Sequence, residues 1–138
     1  MKDPQDVLLR NFAAFDAKDA QGVIDTYTED CILIDVAAPE PTYGSAFLHE
    51  HMANLSNAFP DMHVEDARWL TGENLIAAEF VLVGTHLGEF LGYPPSGNVI
   101  RWVTCSFFDL TDDNEKIWKE TYYYDLASVT AQLQPRDD

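Results

Sequence analysis

The residues best equipped for chemistry lie toward the end of the chain. Asp125 closes the stretch Lys116-Ile117-Trp118-Lys119-Glu120-Thr121-Tyr122-Tyr123-Tyr124 and precedes a short apolar run, Leu126, Val129 and Leu133. Aromatic and β-branched residues crowd that stretch, so it reads as a strand. Alternation puts Ile117, Thr121, Tyr123 and Asp125 on one face and Trp118, Glu120, Tyr122 and Tyr124 on the other. With the first face internal, Asp125 enters a poorly solvated pocket. Burial there would raise its pKa and make it a plausible proton shuttle. The same position suits a helix cap, because the closing helix starts directly after it. Tyr123 shares the face and could donate a hydrogen bond to a substrate carbonyl, or pack as a core aromatic.

Arg101 and His86 complete the set. A hairpin turning near Asp112-Asp113 pairs residues whose numbers sum to roughly 225 or 226. That sets Arg101 beside Asp125, and Val103 and Cys105 beside Tyr123 and Thr121. Arg101 could then pair with Asp125, bind an anionic substrate group, or make a rim salt bridge. His86 ends the even-numbered face of its strand (Ile76, Ala78, Phe80, Leu82, Gly84), the more apolar and so inward face. It could polarise a carbonyl or relay a proton, or pin the Gly/Pro-rich loop that follows. His51 and Asn54 flank the apolar stripe of a helix and could line the same pocket. His49, Glu50 and His51 lack metal-site geometry: positions i and i+2 of a helix do not face each other, and the spacing is not HExxH. His63, Glu65 and Asp66 are no better placed, so no metal is expected. Cys31 and Cys105 show no CxxC spacing and are expected reduced and buried.

The elements that must position these residues follow from pattern. Asp3-Pro4 starts a helix, Asp as cap and Pro at the first helical position, with Leu8, Phe12 and Phe15 on one face. Asp19 begins a second short helix that buries Val23, Ile24 and Tyr27. Residues 31–36 are β-rich, and 37–43, with Pro39 and Pro41, form a loop. A third helix over about 45–58 carries Leu48, Met52 and Leu55, and Phe59-Pro60-Asp61 stops it. Strands follow over 62–70, 75–86, 99–110 and 116–126. Helices first, then long antiparallel strands, then a closing helix predict an α+β fold with helices on one face of a curved sheet. A pocket lies between the layers, with Phe12, Phe15, Tyr27, Trp69, Phe80 and Tyr123 as its walls and Asp125 at its base.

The 138 residues read as one domain, 1–138. The net charge of −16, with only eight Lys and Arg, argues against nucleic acid and anionic membrane surfaces as partners. No apolar run approaches the roughly 20 residues of a membrane span. Met-Lys-Asp-Pro-Gln-Asp has no hydrophobic signal core, so a cytoplasmic location is expected.

The stretch Gly84-Thr85-His86-Leu87-Gly88-Glu89-Phe90-Leu91-Gly92-Tyr93-Pro94-Pro95-Ser96-Gly97 resembles the signature of SnoaL-like polyketide cyclases. Phe59-Pro60-Asp61 fits the same family, as does Lys116-Ile117 followed by Glu120, Tyr123, Asp125 and Gln132-Leu133. The resemblance implies a nuclear-transport-factor-2-like fold. That is a cone-shaped α+β barrel: a curved, mostly antiparallel sheet, three N-terminal helices on its concave face and a short C-terminal helix. It also implies a homodimer, no metal, no organic cofactor, and ring closure by intramolecular aldol condensation with Asp125 in the position of the family's general acid/base. One position departs. The polyketide enzymes pair that aspartate with a histidine from the preceding strand, and Arg101 to Asp109 contains none.

Three readings follow. The chain is a cofactor-independent enzyme acting on a small, largely apolar carbonyl compound by aldol-type cyclisation or isomerisation; or it binds an apolar ligand without turnover; or it is a structural dimer with a filled interior. A direct Arg101–Asp125 pair would instead suit water activation of the epoxide-hydrolase kind. Trp102, Phe108, Trp118, Tyr122 and Tyr124 are expected on the outer sheet face, where that many exposed aromatics mark a homodimer interface.

Overall fold

A computed structural model describes residues 2–135. The chain runs α1 (Gln5–Asp16), α2 (Ala20–Ile24), β1 (Tyr27–Asp35), β2 (Thr42–Tyr43), α3 (Gly44–Ala58), β3 (His63–Gly72), β4 (Leu75–Thr85), β5 (Val99–Leu110), β6 (Ile117–Tyr124) and α4 (Leu126–Gln132). Six strands form one sheet in the order β2-β1-β6-β5-β4-β3. All neighbours are antiparallel except β1 and β6. The sheet does not close on itself: β2 and β3 are its edges. This is the expected α+β architecture, a sheet curved around its helices and open along one side.

The helices sit where their apolar stripes demand. Val7 and Leu8 of α1 and Leu48, Met52 and Leu55 of α3 are buried, at the three- and four-residue spacing of one helix face. The Asp19 side chain accepts from the Gly22 N–H and starts α2. Asn11 of α1 is buried and donates to Thr26 Oγ1 at 2.9 Å, tying that helix to the entry of β1. Among the described residues no helix is long and apolar enough to cross a membrane.

The β5–β6 hairpin differs from its expected register. Cys105 faces Tyr123 and Phe107 faces Thr121, because the turn is longer than expected and centres beyond Asp112-Asp113. The Thr111 N–H donates to the Lys116 carbonyl at 2.9 Å, and Asn114 takes the left-handed conformation, φ 60°. A bulge then shifts the pairing: Leu110 opposes Ile117 while Asp109 opposes Lys119, which leaves Trp118 unmatched. One extra residue reverses the alternation of a strand. Ile117 is therefore internal, yet so are Glu120, Tyr122 and Tyr124, while Thr121 and Tyr123 face outward.

That reversal corrects several expectations. Trp102, Phe108, Tyr122 and Tyr124 line the interior instead of the outer face, and only Trp118 of that set is exposed. Tyr123 points out of the sheet. Cys31 is buried as expected, but Cys105 is exposed on the outer face beside Tyr123.

Candidate functional site

Between α1, α3 and the sheet lies a cavity of about 320 Å³. Its walls are mainly apolar: Phe12, Phe15, Phe47, Phe80, Leu82, Trp102 and Phe108 among others. Phe12 and Phe80 meet at 5.1 Å between ring centroids, a tilted pair that closes one side. The polar groups fall into two clusters on adjacent levels of the sheet, set by the parallel register Leu33↔Glu120 and Asp35↔Tyr122. Two residues along a strand advance about 7 Å, which separates the backbone levels of Glu120 and Asp35.

The first cluster is Glu120. Its carboxyl is enclosed by protein and faces the void; Tyr27 Oη donates to one oxygen and Ser106 Oγ to the other, the latter at 2.9 Å. Burial pushes the Glu120 carboxyl above the usual carboxylate range, and the two hydrogen bonds offset only part of that. Burial likewise raises the Tyr27 phenol well above its ordinary value, helped by the Glu120 carboxylate. Burial thus favours the protonated form of each group in a mostly apolar enclosure.

The second cluster is Asp35 and His51. Asp35 ends β1 and accepts from Tyr124 Oη at 2.9 Å. His51 projects from α3, with its ring stacked on Phe47 at 5.7 Å and 14°. Burial pushes its imidazole below the ordinary range, and the Asp35 carboxylate partly restores it. Asn54, one turn further along α3 and exposed, stands with exposed Leu91 at the mouth.

The expected site residues divide between this cavity and the surface. Phe15, Tyr27, Phe80, His51 and Asn54 line the cavity. Trp69, Tyr123, Arg101, His86 and Asp125 are not among the lining residues. Trp69 packs against the core, its indole N–H reaching Gln5 at 3.4 Å. The Arg101 guanidinium meets Glu65 and Asp66, each at 3.4 Å, on the rim of the outer face. The register that set it beside Asp125 does not form, because the lengthened turn moves the pairing and β6 ends at Tyr124. Asp125 is exposed, and its carboxylate accepts from the Ser128 N–H at 3.2 Å as the N-cap of α4. Of the two placements open to it, the poorly solvated pocket is thus corrected to the helix cap: Tyr124 is the last inward residue, and the chain turns away at the next.

His86 is fully buried but turned from the cavity. Its Nδ1 accepts from the Ser96 N–H at 3.2 Å and lies 2.8 Å from Ser96 Oγ. Its backbone exchanges hydrogen bonds with Asn98 and Gly97, each at 2.9 Å. These bonds pin the loop 86–97, whose Phe90 and Leu91 reach the cavity. Gly88 lets that loop pass close to α3: a Cβ there would lie 2.3 Å from the Asn57 carbonyl oxygen. Glu120, Asp35, Tyr122 and Tyr124 escaped the sequence reading. A carboxylate embedded in an aromatic strand was the available signal, and the bulge at Trp118 hid which face it occupied.

The profile of the SnoaL-like polyketide cyclases matches residues 5–133. The chain belongs to that family. Solved structures agree with this membership across nearly the whole chain. A proposed polyketide cyclase of Silicibacter sp. TM1040 is 25% identical, with 95% of each chain covered and a TM-score of 0.84. A proposed polyketide cyclase of Pseudomonas putida KT2440 is 23% identical, with 97% of this chain and 100% of that one covered and a TM-score of 0.85. AclR, a proposed hydroxylase of Streptomyces galilaeus, is 22% identical, with 94% of each chain covered and a TM-score of 0.81. No curated protein matches the chain. In this SnoaL-like protein the cavity occupies the space between the N-terminal helices and the concave face of the sheet.

Proposed function

We propose that the protein is a cofactor-independent enzyme that carries out acid–base chemistry on a small, largely apolar carbonyl compound, by aldol-type cyclisation or isomerisation. The observation that carries this reading is Glu120, a carboxyl enclosed against an apolar cavity, whose protonated form burial favours and which Tyr27 and Ser106 brace. A protonated carboxyl in such a site can donate a hydrogen bond to a carbonyl oxygen and strengthen it as negative charge develops there. The aromatic walls supply affinity without fixing a polar substrate. In this reading Asp125 is the cap of α4, and the Asp/Arg route to water activation loses its support, since Arg101 engages Glu65 and Asp66.

The test uses α-tetralone, a cyclic aryl ketone with exchangeable α-hydrogens that the cavity can hold. Wild type should accelerate its α-hydrogen/deuterium exchange in D2O, followed by proton NMR. Glu120→Leu should bind the ketone but exchange it about 10²–10³-fold more slowly, the usual cost of losing one oxyanion donor. Binding without exchange in wild type would favour the non-catalytic binder.

The outer sheet face supports pairing of two copies. Leu70, Val103, Phe107 and Tyr123 are all exposed there, and the register aligns Leu70, Ala77 and Phe107 across three strands. The Phe107 and Tyr123 rings meet edge-on at 6.3 Å. An apolar patch of this kind is a liability on a monomer. A second copy covering it would make a homodimer, and Phe107→Asp should return that dimer to monomer in sedimentation.

A further inference from the structure

We propose that His51 is the general base of this site and that Asp35 is its positioning residue, a division of labour that rests on the function proposed above.

Among the described residues the hydrogen-bonded histidine rings are those of His63, held by the Asp61 carbonyl, and His86, held by Ser96. Both therefore have structural employment. His51 sits in the cavity wall with only a stacking partner, Phe47, so its ring plane is fixed and its polar edge left for the void. With no hydrogen-bond partner from the protein, its ring nitrogens are left to meet a molecule in the cavity.

Its surroundings favour the neutral, proton-accepting form. The titratable groups facing it are Tyr27 and Asp35 from β1 and Glu120, Tyr122 and Tyr124 from β6; α1, β3, β4 and β5 present only uncharged lining residues. Of these groups Asp35 is the one whose charge acts appreciably on His51. Asp35 is itself held by Tyr124 Oη at 2.9 Å. A carboxylate fixed this way stabilises, by its charge, the imidazolium that forms when His51 takes a proton, while burial favours the neutral resting ring. The two clusters then have opposite roles. Glu120 holds a proton to offer to oxygen, and His51 lacks one and can remove it from carbon.

The step balances without any further reagent. The His51 ring nitrogen forms a bond to the α-proton of the ketone, and the C–H electron pair becomes the carbon–carbon π bond of the enolate. The carbonyl π pair moves onto oxygen, where the Glu120 proton meets it. Return of a proton from His51 to carbon re-forms the carbonyl and completes isomerisation or exchange; in ring closure the enolate carbon instead bonds to a second carbonyl carbon of the same molecule, whose π pair moves onto its oxygen, and that alkoxide takes the proton from the His51 imidazolium.

The experiment is the pH profile of α-tetralone exchange in wild type, His51→Asn, Asp35→Asn and Glu120→Leu, with fold checked by circular dichroism and ketone binding by tryptophan fluorescence. His51→Asn should bind the ketone and lose about 10²-fold or more of the exchange rate. In wild type the rate should fall on the acid side at a pH below the ordinary His value of about 6.5. In Asp35→Asn that acid limb should move lower still, because the charge that favours the imidazolium is gone. A merely structural role for Asp35 would not move it. Exchange by wild type that His51→Asn leaves unchanged, with Glu120→Leu impaired, overturns this assignment and spares the proposed function. An acid limb in Asp35→Asn that stays in place or moves up overturns the Asp35 role. Wild type without exchange overturns both readings.

Discussion

Replacing Glu120 with Gln should stabilise the protein, and increasingly so as the pH rises. Glu120 is enclosed by the cavity walls, and burial raises its carboxyl above the ordinary range. The folded state therefore keeps a proton that the unfolded chain releases once the pH passes the ordinary Glu value of about 4.3. From that point wild type loses stability with each further pH unit, until the folded carboxyl ionises in turn. The slope for one proton is about 1.4 kcal/mol per pH unit. Glutamine has the same shape and no such term. Its carbonyl oxygen can accept from Tyr27 and its amide can donate to Ser106 Oγ, so both hydrogen bonds of the carboxyl have counterparts. Near pH 4 the two proteins should melt together. Above it the Glu120→Gln variant should pull ahead by up to about 6 °C per pH unit, taking about 4 °C per kcal/mol for a chain of this size. Self-repulsion among the surface acids also grows with pH, but it acts almost equally on both proteins and cancels in the difference. The assay is thermal melting by circular dichroism across about pH 4–8 at fixed ionic strength. A gap that is independent of pH, or that closes as the pH rises, would refute the protonated state of Glu120 and the donor role built on it.

Other perturbations read other parts of the structure. Asp125→Ala should cost about 1 kcal/mol in urea unfolding through loss of the α4 cap, and Asp125→Asn much less, since Asn caps almost as well. Neither should change α-tetralone binding. Phe59, 1% exposed and packed on His86 and Phe90, should cost about 3–5 kcal/mol when cut to Ala. Leu91 is held in the left-handed region at φ 51° while half exposed. Leu91→Asn should raise the melting temperature, by relief of up to about 1 kcal/mol, and should alter ketone affinity because Leu91 lines the cavity mouth.

The layout of the fold was legible from ordinary signals. The spacing of Leu48, Met52 and Leu55, the stop at Phe59-Pro60-Asp61 and the alternation of β4 and β5 place those elements within a residue or two of where they lie. The inward face of β4, with Ile76, Ala78 and Phe80, was legible for the same reason: no bulge interrupts its pairing with β5. The candidate site was half legible. Phe15, Phe80, His51 and Asn54 came from helix stripes and strand parity in regular elements, whereas Tyr27, read as part of the second helix, opens β1 just before a register shift against β6. The last strand failed because its own regularity misled. Ile117 is internal, and counting by twos from it selects Thr121, Tyr123 and Asp125. The bulge at Trp118 breaks the count after one residue and hands the cavity to Glu120, Tyr122 and Tyr124. Such a bulge is set by long-range pairing and the turn at Asn114, which local alternation does not report. His86 and Arg101 failed differently. Each is engaged by residues far from it in sequence or across a loop, Ser96 for one and Glu65 with Asp66 for the other.

The most direct test of the account is a crystal structure of the protein with α-tetralone bound. The ketone should lie inside the cavity between α1, α3 and the sheet, its oxygen within hydrogen-bonding distance of Glu120 and its α-carbon toward His51. A ketone bound at the rim near Arg101 and Asp125, or a cavity that stays closed to it while binding occurs elsewhere, would contradict the assignment of this site.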